Sequence, residues 1–271
     1  MRILAIVIWI IAVAVICLFL SPAWWLPTSI ASHSNAIDKQ LEITLAVIGI
    51  GFFTTQVALG VAIWRSRTIG EERPVFSSGN WRIEMTWTLM VAAIFISLAV
   101  TGQRLWDRLR LNQPPSGAIQ IEVTGQQFVW HFRYPGVDGR FGTIDPKLYD
   151  DTDNSIGARP GPLGIDPRDP AGEDDVVSSS LVVPAGRPVN LTLRSKDVIH
   201  SFFVPALRLK HDAVPGMIIN LHFEALKEGR YEIACAELCG LLHHQMRAIL
   251  DVKSQADYES WYEERLRNKR K

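Results

Sequence analysis

Three long apolar runs dominate the first third of the chain: Ile3 to Leu20, Leu41 to Trp64 and Met85 to Gly102. Each is long enough to cross the hydrocarbon core of a bilayer. In lipid every backbone N–H and C=O must be satisfied internally, so runs of this kind can fold only as helices. The first run follows a single Arg2, so residues 1–30 read as a signal peptide or a first transmembrane helix. The run is long for a signal core and no small-x-small cleavage site follows it, which favours a retained span. Pro22, Trp24, Trp25 and Pro27 then form an interfacial break. Residues 41–104 read as a transmembrane hairpin. Its loop, 65–84, carries Arg65, Arg67, Arg73 and Arg82 against Glu71, Glu72 and Glu84. That excess of arginine predicts a cytoplasmic loop and places everything after Gly102 outside the cytoplasm. Arg104, Arg108 and Arg110 run against this assignment.

The pattern changes after about Gly117. Short alternating segments predict strands at Ala118–Thr124, Phe128–Tyr134, Val176–Val183, Pro188–Ser195, Met217–Ala225, Arg230–Cys235 and Met246–Val252. About seven strands at short spacing predict an antiparallel sandwich or barrel over residues 113–254. The stretch 142–175 interrupts them and is rich in Asp, Gly and Pro, with nine acidic residues against three basic ones. It reads either as a solvated loop or as an acidic docking face for a basic partner. Residues 255–271 read as a charged, exposed C-terminal helix. Charge over the whole chain is balanced, 28 basic against 28 acidic residues, so composition points to no nucleic acid.

The chemistry is concentrated between Cys235 and Met246. Cys235, Glu237, Cys239, His243, His244 and Met246 fall within twelve residues, and Asp197-Val-Ile-His200 lies upstream. Three cysteines are too few for a disulfide scaffold. The remaining one, Cys17, lies in the first apolar run and reads as an apolar filler. A disulfide or a zinc site explains the cysteine pair alone, but zinc sites rarely recruit methionine. Thiolate, imidazole and thioether together are what soft metals prefer, copper above all. A mononuclear electron-transfer copper site needs one Cys, two His and a Met. The second cysteine allows two thiolates to bridge two coppers, each capped by one histidine. Spacing does not choose between His243 and His244.

These residues resemble subunit II of the haem–copper cytochrome c oxidases over roughly residues 41–254. Cys235, Glu237, Cys239, His243 and Met246 meet the family pattern Cys-x-Glu-x-Cys-x3-His-x2-Met. Asp197 to Ser201, Val204-Pro205, Lys210 to Gly216 and Glu84-Met-Thr-Trp87-Thr also resemble the family. The resemblance implies a cupredoxin-like Greek-key domain carrying a dinuclear copper centre, CuA. Cys235 and Cys239 are then the bridging thiolates, and His200 and His243 the terminal ligands. Met246 is the weak thioether ligand, and Glu237 binds copper through its carbonyl. The Glu237 carboxylate is expected to help hold a magnesium ion shared with subunit I, and Glu84 to lie at the mouth of a proton pathway. One departure stands out. The family's Gly-x-Gln-Trp-x-Trp strand reads Gly125-Gln-Gln127-Phe128-Val129-Trp130 here, so Phe128 occupies the position that first receives electrons, with Trp130 two residues on.

The function this implies is that of an electron-accepting subunit of a respiratory terminal oxidase. It would take electrons from cytochrome c and pass them to haem in subunit I, where oxygen is reduced and protons are pumped. This chain by itself carries no oxygen-reducing site, and the haems belong to the partner subunit. Expected partners are subunit I, subunit III, a one-electron donor and the lipid membrane. The expected location is the inner membrane of a prokaryote, multi-pass, with the copper domain on the periplasmic side. The alternative is the electron-accepting subunit of a CuA-containing nitric oxide reductase, which would carry the same ligand motif.

Overall fold

The computed structural model describes residues 2–21, 25–66, 79–110, 114–150, 159 and 161–269. Pro22, Trp24, Arg67, Glu71, Glu72 and Arg73, and Asp151 and Asp153 among the nine acidic residues of the insertion, lie outside the described residues. The chain forms two compact units. One comprises Met1–Pro27 and Ala36–Arg108, the other Thr28–Asn35 and Leu109–Lys271.

The first unit is helical: α1 Arg2–Phe19, α2 Ser34–Arg65 and α3 Trp81–Arg110. Among the described residues these three helices are long and apolar enough to cross a membrane. Helix α2 begins seven residues before its apolar run, because Asp38 and Lys39 continue the helix although they are too polar for the membrane core. A regular line of contacts joins α1 to α2. The Arg2 guanidinium lies 5.2 Å from the Trp64 ring, and Trp9 stacks on Trp64 at 6.0 Å. A side chain at Gly60 would collide with the Trp9 indole, and Ile16 packs at Gly49. Ala5 and Ala12 are buried on the same face. Residues 2, 5, 9, 12 and 16 recur at helical spacing, so one stripe of α1 meets α2. Gln40 on α2 donates to the Thr101 hydroxyl on α3 at 3.2 Å.

The second unit is a sandwich of two five-stranded sheets followed by a helix. Its strands are β1 Ile119–Gln126, β2 Val129–Tyr134, β3 Val176–Ser178, β4 Leu181–Pro184, β5 Pro188–Ser195, β6 His200–Val204, β7 Leu209–Ala213, β8 Ile219–Glu224, β9 Gly229–Cys235 and β10 Arg247–Lys253. The sheet orders are β3-β2-β1-β5-β8 and β4-β10-β9-β6-β7. The sandwich departs in two ways from the seven antiparallel strands expected. The pairs β1–β5 and β4–β10 run parallel, so the sandwich is mixed. Ten strands are present among the described residues. Val176–Val183 divides into two strands belonging to different sheets, and β6 and β7 are additional.

Alternation explains the core. Ile121 and Val123 on β1, with Trp130, Phe132 and Tyr134 on β2, point inward and are fully buried with Leu191, Phe202, Ile233 and Leu250. The outward face of the same strands is covered as well. There Glu122 and Arg133 are cross-strand partners and form a buried ion pair. Arg133 Nη1 reaches Asp175 at 3.0 Å and donates to the Gly142 carbonyl at 2.8 Å. The insertion is therefore anchored to the sheet at both of its ends.

Two further segments close the sandwich. Ile30 and Ala31 are buried in the core, and the Ile30 N–H donates to the Ala206 carbonyl at 2.9 Å. Helix α4, Gln255–Lys269, is not the free charged helix expected. Ser254 caps its N-terminus by accepting from the Asp257 N–H at 3.1 Å. The Trp261 ring meets Tyr134 at 5.2 Å, and the Tyr262 hydroxyl donates to the Pro135 carbonyl.

Candidate metal centre

Three connections converge at one end of the sandwich: the β1–β2 turn, the β5–β6 loop and the long β9–β10 loop. His200 opens β6 and Cys235 closes β9, and these two strands are paired. The Ala236 N–H donates to the Ser201 carbonyl at 2.9 Å, and the Cys235 N–H to the Met246 carbonyl at 3.1 Å. Backbone bonds thus fix both ends of the ligand loop on the stiff part of the fold. Within the loop a short helical turn, His243–Gln245, aims His243 back at the cysteines.

The donor atoms gather closely. Cys235 Sγ lies 3.9 Å from Cys239 Sγ. Cys239 Sγ lies 3.6 Å from His243 Nδ1 and 3.7 Å from Met246 Sδ. One ligand atom each from His200, Cys235 and Cys239 falls within 4.8 Å of the others. The Glu237 carbonyl oxygen is 3.1 Å from Cys235 Sγ, while the Glu237 residue is exposed. His200 and Met246 are fully buried and His243 is half-buried, whereas His244 is exposed. Cys17 sits in α1, in the other unit, as does Glu84 in the first turn of α3.

The donor set can be tested for whether it suits a metal. Two ligands about 2.3 Å from a tetrahedral metal lie roughly 3.8 Å apart, and the sulfur and nitrogen separations here run from 3.6 to 3.9 Å. His200 supplies a second sign. Its Nε2 faces Asp197 Oδ1 at 2.7 Å, while its Nδ1 is buried without a hydrogen-bond partner among the described residues. A buried polar atom left unpaired is costly unless something else satisfies it. Burial, together with the neighbouring Cys235 thiol, pushes the Cys239 thiol up to about 11. Metal must therefore displace a proton on binding, and loading is favoured as pH rises.

Aromatic residues flank the cluster. Trp130 is fully buried with its ring 5.8 Å from His200 at 64°, and 5.3 Å from Phe202. Phe128 is half-buried, and its ring lies against Gly240, next to Cys239. Two polar residues were not recognised as parts of the site from sequence. Asp197 accepts from the Val198 N–H through Oδ1 and from the Gln127 N–H through Oδ2, both at 2.7 Å. Burial works against its ionisation, but the Gln127 amide, the His200 ring and the Val198 amide together hold its carboxyl below the usual range. The Asp-x-x-His spacing was the available signal for Asp197. Gln127 had none.

A two-sheet cupredoxin-like domain with soft donors at one end, on a chain with three membrane-length helices, defines a class: membrane-anchored electron-transfer proteins. Comparison with known proteins narrows it. Residues 171–253 match the family model for the periplasmic domain of cytochrome c oxidase subunit II. The alternative cytochrome c oxidase subunit 2 of Bradyrhizobium diazoefficiens is 33% identical over 263 residues, covering 96% of this chain and 91% of that one. The cytochrome c oxidase subunit 2 of Thermostichus vulcanus is 32% identical over 256 residues, covering 87% and 77% respectively. The crystal structure of the periplasmic domain of subunit II of cytochrome oxidase from Bradyrhizobium japonicum aligns with a TM-score of 0.41 and 26% identity, over 58% of this chain and 99% of that one. The chain belongs to the cytochrome c oxidase subunit II family.

Proposed function

We propose that this chain is the subunit through which a respiratory haem–copper oxidase receives electrons from cytochrome c and hands them to haem in subunit I, for oxygen reduction coupled to proton pumping. The observation that carries the reading is the buried convergence of Cys235, Cys239 and Met246 on His200, whose Nδ1 is unpaired. Cys235, Cys239, His200, His243, Met246 and the Glu237 carbonyl would hold two coppers. Such a pair supplies a one-electron acceptor that shares its charge over both metals. The residues around it exclude water and keep the donors in place as the charge changes, since they hang from paired strands. Phe128, against the loop that carries Cys239, offers the apolar surface for an incoming donor.

The exposed Glu237 carboxylate is free to face a magnesium ion at the boundary with subunit I, where a hard oxygen ligand suits that ion. Glu84 is assigned to the proton pathway of subunit I, and subunit III completes the complex. The stripe of contacts between α1 and α2 supports a retained first span. The chain would then be a three-span protein of a prokaryotic inner membrane, with the copper domain in the periplasm. The acidic insertion is a docking face for a basic donor.

Electron paramagnetic resonance of the copper-loaded chain tests the central claim. A delocalised pair gives a seven-line hyperfine pattern. Four lines, or no copper uptake, would end this reading. Mass spectrometry of the purified protein tests the retained span: loss of residues 2–19 would remove it.

A further inference from the structure

The proposed copper site is assembled from two halves that come from different parts of the chain. One half is His200, on the β5–β6 side. The other is the Cys235–Met246 loop. A single residue outside the ligand set bonds to both. The Gln127 side-chain amide donates to the Cys239 carbonyl, and its backbone N–H donates to Asp197 Oδ2 at 2.7 Å. Asp197 Oδ1 in turn faces His200 Nε2 at 2.7 Å. We propose that Gln127 is a positioning residue that, through Asp197, fixes the spacing and orientation of His200 relative to the thiolates. The inference rests on the copper reading above.

Chemistry and shape both support the assignment. A carboxylate only accepts, so the ring nitrogen facing Asp197 carries the proton. That leaves Nδ1 with its lone pair, and Nδ1 is the buried nitrogen without a partner. The Asp197–His200 contact thus selects the tautomer able to bind a metal. A carbonyl likewise only accepts, so the group facing Cys239 must be a donor. Glutamine meets that need, and glutamate of the same length does not. Space is made for it by Gly240, whose φ is +143° and whose added Cβ would lie 2.7 Å from Gln127 Nε2. Asp197 is held by two backbone amides, of Gln127 and of Val198, both at 2.7 Å, so the His200 half stays ordered when the Gln127 side chain is changed and the substitutions below act on the Cys239 link.

The test compares the full-length chain with Gln127→Glu and Gln127→Met, in detergent and loaded with copper ions. Glutamate sets an acceptor against the Cys239 carbonyl. Methionine keeps the length and removes the donor without adding charge, and so covers the case in which Gln127→Glu does not fold. Three quantities are read: the rate of copper removal by a chelator, the hyperfine pattern, and the thermal midpoint of the metal-free protein. Loss of an outer hydrogen-bond partner of a metal ligand costs about 10- to 100-fold in affinity. Copper release is expected to quicken by a factor of that order with an altered hyperfine splitting, while the metal-free midpoint stays near that of the parent. Parent-like release and splitting in both variants would overturn the proposal. So would a lowered midpoint with parent-like copper properties, since that marks a purely structural residue. Should the parent chain itself bind no copper pair, the functional reading fails and not this inference alone.

Discussion

Two irregular regions of the sandwich are rich in potential ligands, and they treat them in opposite ways. In the insertion, 142–175, five of the described carboxylates are engaged within the fold. Asp145 accepts from the Lys147 N–H at 2.9 Å, and Asp169 from Thr143 and Ala171. Asp166 pairs with Arg168 at 2.9 Å, Asp174 takes the Val137 N–H at 2.6 Å, and Asp175 takes Arg133. At the other end the Cys235 and Cys239 thiols, the Met246 thioether and the His243 ring contact one another. The difference separates architecture from chemistry. Oxygen-rich turns cap and anchor backbone, while thiol, thioether and imidazole gathered together are the donor set that a soft metal prefers.

The largest effect expected from this contrast lies at the sulfur end. Cys239→Ser should abolish the seven-line signal entirely, because a hydroxyl cannot bridge two coppers as a thiolate does. Circular dichroism should remain that of the parent, since Cys239 lies in a loop outside the strands. A mixed-valence signal that survived the substitution would show the bridging assignment to be wrong.

Next comes the anchor of the insertion. Arg133→Ala leaves the buried Asp175 carboxylate without its cation and Glu122 with only its longer contact to Arg194, at 3.3 Å. Removing one partner of a buried pair costs about 3–5 kcal/mol. Denaturant unfolding should show a loss of that order, with the copper signal of the folded fraction unchanged. A loss below about 1 kcal/mol, the range of exposed pairs, would mean that the insertion is held by other contacts.

A smaller effect concerns α4. Burial pushes Tyr258 up to about 12, and Tyr134 and Tyr262 are raised for the same reason. The neutral phenols are favoured in the folded state. Their contribution is therefore complete below the unfolded value of about 10 and is lost as pH rises toward 12, on the order of 2 kcal/mol for Tyr258. Trp261 packs among these rings, so its fluorescence should hold past pH 10 and change only as pH approaches 12. A signal that titrated near pH 10, the value of an exposed phenol, would argue against the docking of α4.

What could be read from sequence follows the reach of each interaction. The spacing from Cys235 to Met246 is local, so the soft-donor set was visible directly. The membrane helices were visible because an apolar run is its own signal, although the polar start of α2 was not. Parallel pairing escaped because Ile119 meets Val189, seventy positions away, and nothing in either strand announces a direction. The split between β3 and β4 escaped because Ser179 and Ser180 interrupt the run only slightly. The docking of Ile30 and Ala31 in the sandwich core escaped because two apolar residues between a first span and a hairpin show no period of their own. Gln127 escaped for the strongest reason: its role depends on bonds to positions 197 and 239, which only the finished fold brings near.

The smallest expected effect tests whether the insertion, though internally bonded, also acts at a distance. The hydrogen bonds to Asp145, Asp166, Asp169 and Asp174 leave their charge in place, and the sequence of the insertion keeps nine acidic residues against three basic ones. Asp166 and Asp169 are both held below the usual carboxylate range, Asp166 by bonds from Arg168 and Asp169 by bonds from Thr143. They therefore stay ionised at neutral pH. A basic donor should be drawn toward this face, and the attraction should weaken as the screening length shrinks from about 10 Å at 0.1 M salt to about 3 Å at 1 M. Turnover of the assembled oxidase with a basic cytochrome c should fall over that range. Replacing Asp166 and Asp169 with asparagine should flatten the dependence. A salt-independent rate in the parent would confine the insertion to its architectural role and make the contrast between the two regions complete.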